Sequence, residues 1–427
     1  GRPMVPMITF FRSLGPGLLY AGAAIGVSHL VQSTRAGAEY GFQLIWVIIV
    51  ANVIKYPFFE IGPRYTVATG KSLLEGYREL GRSAVILYML ITIGSMFIVQ
   101  AAVTVVTAGL AAHIFRIEIP LWVISSGLLA ICGAILAIGR YKLLDRSMRL
   151  IILTLTVSTI IAVVSAFSSP APSPVGPLKQ FDWSDAASIA FLIALVGWMP
   201  APIDISIWHS LWTIAKKRQD GHLPSMRDAI RDFHVGYWGT TFLAVCFVSL
   251  GALVLYGSGE ALSPRAATFA GQLIEMYTKN LGPAFFVIIA IAAFTTMFST
   301  TLTVLDAYAR SLRHGLMVLR HGTDPELSAE QDDSRSKHYW LLLAALIVGS
   351  LIILVFFLEN MRGLVDFATS IAFLTAAVLA YLNLRVMSRP DVPDEHRQGP
   401  IARGLGIVGL VFLVLFSFYY VFVEFTS

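Results

Sequence analysis

Apolar runs long enough to cross a bilayer recur along this chain and limit what it can fold into more than any other feature. About 20 mostly apolar residues in a helix cover the ~30 Å hydrocarbon core. Eleven such runs, bounded by charges, Gly and Pro, lie near 15–34, 42–62, 84–112, 119–138, 148–167, 186–212, 236–256, 283–308, 338–358, 363–385 and 402–424. Inside lipid every backbone polar group must be satisfied within the protein, so runs of this length read as helices. The chain is 56% hydrophobic and 13% charged, against roughly 25% charged residues in soluble domains. The expectation is an all-α membrane protein with one transmembrane domain over residues 1–427. The start, GRPMVPMITFFRS, leads directly into the first run and carries no cleavable leader in this reading.

The net charge of +5 does not point to nucleic acid, because the basic residues fall in the loops between apolar runs. Eleven crossings place the termini on opposite sides. Assigning the N-terminus and alternate loops to one side gives that side 24 Lys and Arg, the other 6, with Lys55 inside a run. This bias predicts a cytoplasmic N-terminus and an outside C-terminus in the cell (inner) membrane. The loops leave no room for a large soluble domain, and a monomer is expected. Cys132 and Cys246 lie in apolar runs and read as small core residues. The proline-rich SSPAPSPVGP at 168–177 reads as a stiff outside connector, and HGTDPELSAEQDDSRSK at 321–337 as a polar cytoplasmic loop.

Splitting the chain at that connector puts the first and sixth runs in corresponding positions. The first reads GPGLLYAGAAIGVSHLVQS and the sixth IALVGWMPAPIDISIWHS. Each has small or helix-breaking residues at its centre, followed closely by a histidine. Proline within a helix removes a backbone hydrogen bond and costs about 3 kcal/mol. Interrupted spans at matching positions of two halves point to a transporter's binding site. Five runs being an odd number, residues 15–167 and 186–385 read as inverted repeats of a leucine-transporter-type fold, with 402–424 as an extra helix.

GPGLL at 15–19, RAGAEYG at 35–41, LIW at 44–46 and PRYTVATGKSL at 63–73 resemble the start of the Nramp family of divalent-metal transporters. The resemblance implies two interrupted helices around a metal site, but this chain departs from the family at that site. Where Nramp members carry Asp-Pro-Gly-Asn in the first helix, it has Gly26, Val27, Ser28 and His29. Where the sixth helix carries Met-Pro-His-Asn, it has Ala201, Pro202, Ile203 and Asp204. A family glutamine of the tenth helix falls on Asp366. The third helix lacks the acids of a proton path, offering Gln100, Thr104 and Thr107.

Loss of the methionine sulfur at Ala201 removes the preference for soft metals. A hard ion such as Mg²⁺ keeps several waters and uses one or two carboxylates. The expected substrate is therefore a divalent cation of Mg or Mn type. Asp204 and Asp366 are the expected carboxylate ligands, with Ser28, backbone carbonyls near Gly26 and, for Mn²⁺, His29. Intramembrane Asp204 is functional by default; Asp366 also has a plain reading as a partner of Arg362. Lys55 and Glu60, five apart, are expected to pair or to snorkel at the cytoplasmic edge. His209 relays a proton or marks the interfacial end of its helix.

A second reading remains open. Without an acid in the first helix, the positive end of a half-helix faces the cavity and suits an anion or a zwitterion, with Asp204 reading an amine and Arg35 favouring a carboxylate. Hydroxyls around Ser299, Thr300 and Thr303 in FTTMFSTTLTVLDAYAR would then hold a coupling Na⁺, or glue helices together. No cofactor is expected in either case, and no nucleophile or metal motif of an enzyme occurs.

Overall fold

The computed structural model describes residues 15–139, 141–170, 172–323 and 336–426; most of the polar segment 321–337 lies outside them. Helices account for every regular element among these residues. Eight are long and apolar enough to cross a membrane unaided. These are α3 (Ile45–Thr69), α5 (Arg82–Ile114), α6 (Leu121–Ile138), α10 (Met226–Val254), α12 (Phe286–His321), α13 (Lys337–Phe356), α14 (Met361–Met387) and α15 (Pro400–Thr426).

Three further crossings bring the arrangement to the eleven read from the sequence. The fifth is α7 (Tyr141–Ser168). The first is split into α1 (Pro16–Ala24) and a π-wound turn, Ser28–Ser33, that runs into α2 (Thr34–Tyr40). The sixth is split into α8 (Ala186–Gly197) and α9 (Asp204–Asp220). Two helices between crossings were not expected: α4 (Leu73–Leu80), largely buried against the core, and the surface helix α11 (Ala266–Leu281) between the seventh and eighth crossings.

Local chemistry sets the helix ends. Ser72 and Glu75 form a reciprocal capping box at α4, with Glu75 Oε2 2.6 Å from Ser72 N. Asp185 caps α8 by accepting from Ser188 N at 2.8 Å, and Asn360 caps α14 through Gly363 N at 2.8 Å. Glycine sets how closely helices approach. A Cβ on Gly37 would strike the α10 backbone at Val248, and one on Gly251 would strike the α2 backbone at Thr34. The two helices therefore meet backbone to backbone, as small residues permit in membranes. The core surrounds the two broken crossings, and exposed Leu, Ile, Val and Phe lie on outward faces such as those of α6, α13 and α15.

Candidate functional site

Both breaks follow from composition. In the first crossing α1 stops at Ala24, and Ile25 takes an extended conformation (φ −73°, ψ 95°). Helical winding resumes at Ser28, past Gly26. In the sixth, Pro200 and Pro202 cannot donate backbone hydrogen bonds, and residues 198–203 form no helix; the Met199–Pro200 peptide is cis. The breaks meet where Ser28 Oγ lies 3.2 Å from Pro200 O.

His29 Nε2 lies 2.8 Å from Thr240 O, which only accepts, so the ring proton sits on Nε2. Nδ1 is then an acceptor, and Ser28 Oγ at 2.9 Å is its donor. The single Ser28 proton is thereby used. Ser28 Oγ also lies 3.4 Å from Ala24 O and 3.2 Å from Pro200 O, so three oxygens gather beside the His29 ring at the breaks. Both His29 nitrogens are engaged, Nε2 with Thr240 O and Nδ1 with Ser28 Oγ, so His29 borders this cluster.

A second cluster of the same kind surrounds Thr300 on α12. Its Oγ1 lies 2.9 Å from Gly22 O, 3.0 Å from Ile25 O and 3.1 Å from Thr296 O, yet it can donate to only one. Gly26 faces the same side chain: a Cβ there would meet Thr300 Cγ2 at 3.0 Å. Ser299 and Thr303 are buried on the same helix.

Between the breaks lies a small cavity with mainly apolar walls, including Val27, Val99, Ala201, Ile205, Trp198 and Trp208; Ser28 and Thr300 supply its hydroxyls. Asp204 is the first residue of α9, 5% exposed, and its Oδ1 is buried without a hydrogen-bond partner. Tyr88 and Tyr308 lie within electrostatic reach of that carboxylate. Ser311, Thr92 and Trp208 face the Tyr88 hydroxyl, and Ser95 faces that of Tyr308.

Asp366 is placed differently from the expectation. Its carboxylate pairs with Arg35 Nη1 at 2.6 Å and Nη2 at 3.3 Å, and accepts from Gln32 Nε2 at 3.0 Å. Arg35 is held further by Gln32 Oε1 at 2.8 Å and by the Phe191 ring, 4.9 Å from its centroid. The partner of Asp366 is thus Arg35 rather than Arg362, and this ion pair joins the first crossing to the tenth. Asp366 is engaged with the first crossing through Arg35 and Gln32.

His209 is fully buried among Tyr20 and Phe233, away from any interfacial helix end, and its Nδ1 has no partner. In the third crossing Gln100 donates to Thr104 and to Thr301 O, both at 3.3 Å, and Thr107 meets Thr301 at 2.7 Å. These groups join α5 to α12. Lys55 and Glu60 do not pair. Glu60 binds Arg64 at 2.6 Å and Gln398 at 2.8 Å, whereas Lys55 is fully buried and donates to the carbonyls of Val196 and Gly197.

Sequence reasoning passed over Gln32, Tyr88 and Tyr308. Gln32 had a signal: an amide at i+3 from His29 within an apolar run. The tyrosines had none, since their hydroxyls gain meaning only beside Asp204.

The Nramp model, described as natural resistance-associated macrophage protein-like, matches residues 17–423. The chain belongs to the Nramp family. Within it, an uncharacterised protein of Pasteurella multocida (strain Pm70), PM0681, is 35% identical over 96% of this chain and 92% of its own length. The metal transporter NRAT1 of Oryza sativa subsp. japonica is 25% identical, over 69% of this chain and 55% of that protein. Among solved structures, a point mutant of the Eremococcus coleocola manganese transporter superposes with a TM-score of 0.71 at 11% identity. That match covers 96% of this chain and 86% of the other. MhsT in complex with L-phenylalanine superposes at 0.59 with 15% identity, over 96% and 98%. The fold is that of the leucine-transporter-type Nramp proteins, and the neighbours point to a multi-pass membrane transporter rather than an enzyme. Among the described residues no group of three or more His, Cys, Asp and Glu side chains assembles to hold a metal.

Proposed function

We propose that this chain is a secondary transporter that moves a hard divalent cation, of Mg²⁺ or Mn²⁺ type, by alternating access around its first and sixth crossings. The supporting observation is the gathering of Ser28 Oγ, Ala24 O and Pro200 O beside His29, where the two breaks meet. Oxygens collected at one point between two broken helices suit a small cation. All three are hard donors, and Ala201 contributes no sulfur. Asp204, on the same crossing as Pro200, carries a buried oxygen without a hydrogen-bond partner and is the acid that would balance the cation's charge. The plant relatives' names as metal transporters favour the same cargo. In the bilayer the N-terminus is cytoplasmic and the C-terminus outside, on the 24-to-6 division of basic residues.

Calorimetry on purified protein with Mg²⁺, Mn²⁺ and Ca²⁺ tests the cargo. Binding of at least one ion, weakened in Ser28→Ala and Asp204→Ala, is expected. Absence of heat with all three ions sinks the metal reading.

One observation favours a second reading. The cavity walls are mostly Ala, Val, Ile and Trp, which suit the apolar body of a small organic zwitterion better than a hydrated ion. In that case the Thr300 cluster with Gly22 O and Ile25 O is a sodium site that couples uptake. Liposome uptake of small anions and amino acids with and without a sodium gradient separates the two. Sodium-driven uptake lost in Thr300→Val supports the organic cargo.

A further inference from the structure

Lys55 takes no part in the Ser28 oxygen cluster or the cavity, yet it sits in the middle of α3 with no exposed surface. A buried ammonium is costly unless paired, and among the described residues no carboxylate forms an ion pair with it. Glu60, the nearest acid on its own helix, is taken by Arg64 and Gln398. The Lys55 Nζ donates instead to Val196 O and, at 3.3 Å, to Gly197 O.

Those carbonyls end α8 at the break in the sixth crossing. The last carbonyls of any helix lack helical partners and carry about half a negative charge. Here the chain beyond them contains Pro200 and Pro202, which have no N–H to offer, and the N–H groups of Trp198 and, at 3.2 Å, Met199 both turn back to Val196 O. This end is also wedged in place: a Cβ on Gly197 would strike the backbone carbonyl of Thr369 on α14. Thr369 Oγ1 in turn accepts from Gln32 at 3.3 Å, and Gln32 holds the Arg35–Asp366 pair.

We propose that Lys55 is a tethered cation. Its ammonium occupies the carbonyl end of the broken sixth helix where a free monovalent ion would otherwise sit. It is a positioning residue: it fixes the end of α8, and with it Trp198 in the cavity wall, whatever cargo the cavity takes.

A cap that acts through its positive charge can be replaced by a soluble cation, and one that only fills space cannot. Thermal unfolding of purified Lys55→Met is therefore measured in choline chloride, then with increasing ammonium, methylammonium, Na⁺ or K⁺. The expected result is a lowered midpoint in choline that rises saturably with at least one small cation, while wild type and Lys55→Arg do not respond. A Lys55→Met protein that is as stable as wild type, or destabilised with no cation response, overturns the proposal. Should Lys55→Met fail to fold, ¹⁵N-lysine NMR of the wild type at neutral pH, assigned with Lys55→Arg, decides. An ammonium signal for Lys55 upholds the tethered cation and a neutral amine signal overturns it.

Discussion

In the neutral His29 ring the contact with Thr240 O, which only accepts, keeps the proton on Nε2 and leaves Nδ1 able to accept from Ser28. His29 therefore acts on the oxygen cluster through Ser28. Replacing it with Phe frees the Ser28 proton to fall between Oγ and Pro200 O. Affinity for the divalent cation should drop roughly tenfold, about 1.4 kcal/mol. In a Ser28→Ala background the same change should add little, since coupled residues are not additive; calorimetric titration of the four proteins measures this. Full additivity would show His29 to be a ligand in its own right. Gly26 offers a second test at this scale. The family's aspartate put back there presses on Thr300, whose Cγ2 lies 3.0 Å from the place of its Cβ. Gly26→Asp should cost about 1–3 kcal/mol in denaturant unfolding, as overpacking does. Adding Thr300→Ala should recover most of that loss. Lys55 illustrates what spacing alone hides. A partner five residues on is off the helix face, whereas Arg64 meets Glu60 at i+4, so Glu60 was never free for Lys55.

α1 is a nine-residue helix, too short to be stable without outside support. Asp232 on α10 provides it, accepting from Gly15 N at 3.1 Å and Gly17 N at 2.7 Å at the positive end of the half-helix. Asp232→Ala should cost about 1–3 kcal/mol and speed hydrogen exchange across residues 16–24 more than across α3. Equal exchange in mutant and wild type would show that packing alone holds α1. The breaks that create these half-helices were legible in the sequence, because two prolines in one run and a Gly-Ala cluster in the other leave little choice of place. The long crossings were legible for the same reason that lipid is intolerant. The two helices between crossings were not. α11 carries Gln272, Glu275, Lys279 and Asn280 among its apolar residues, and a search for continuous apolar runs passes over an amphipathic element. Nor was the partner of Asp366 legible: Arg35 and Arg362 were both near in principle, and packing of the first crossing against the tenth selects Arg35.

At the scale of the molecule these contacts hold the central site closed. Ser28, Asp204 and Thr300 are each at most 5% exposed. On the Arg35 side, the first and tenth crossings are joined by the ion pair and Gln32; at the other end, α1 is latched to α10 by Asp232. A transporter that alternates must release one latch at a time. Asp366→Asn removes the charge that holds Arg35 while keeping the side-chain shape, so it should shift the population toward a form open on the Arg35 side. The two native cysteines are buried, which leaves Ala201→Cys in the cavity wall as a clean reporter. Its thiol should react slowly with a membrane-impermeant reagent in the otherwise wild-type protein. In the Asp366→Asn background it should react about tenfold faster, a shift of roughly 1.4 kcal/mol toward the open form. The acceleration should appear when reagent is added to the Arg35 side of oriented vesicles and not from the opposite side. Equal rates in both backgrounds would mean that the Arg35–Asp366 pair is no latch, and that the closed state is held by the close packing of α8 against α14 at Gly197.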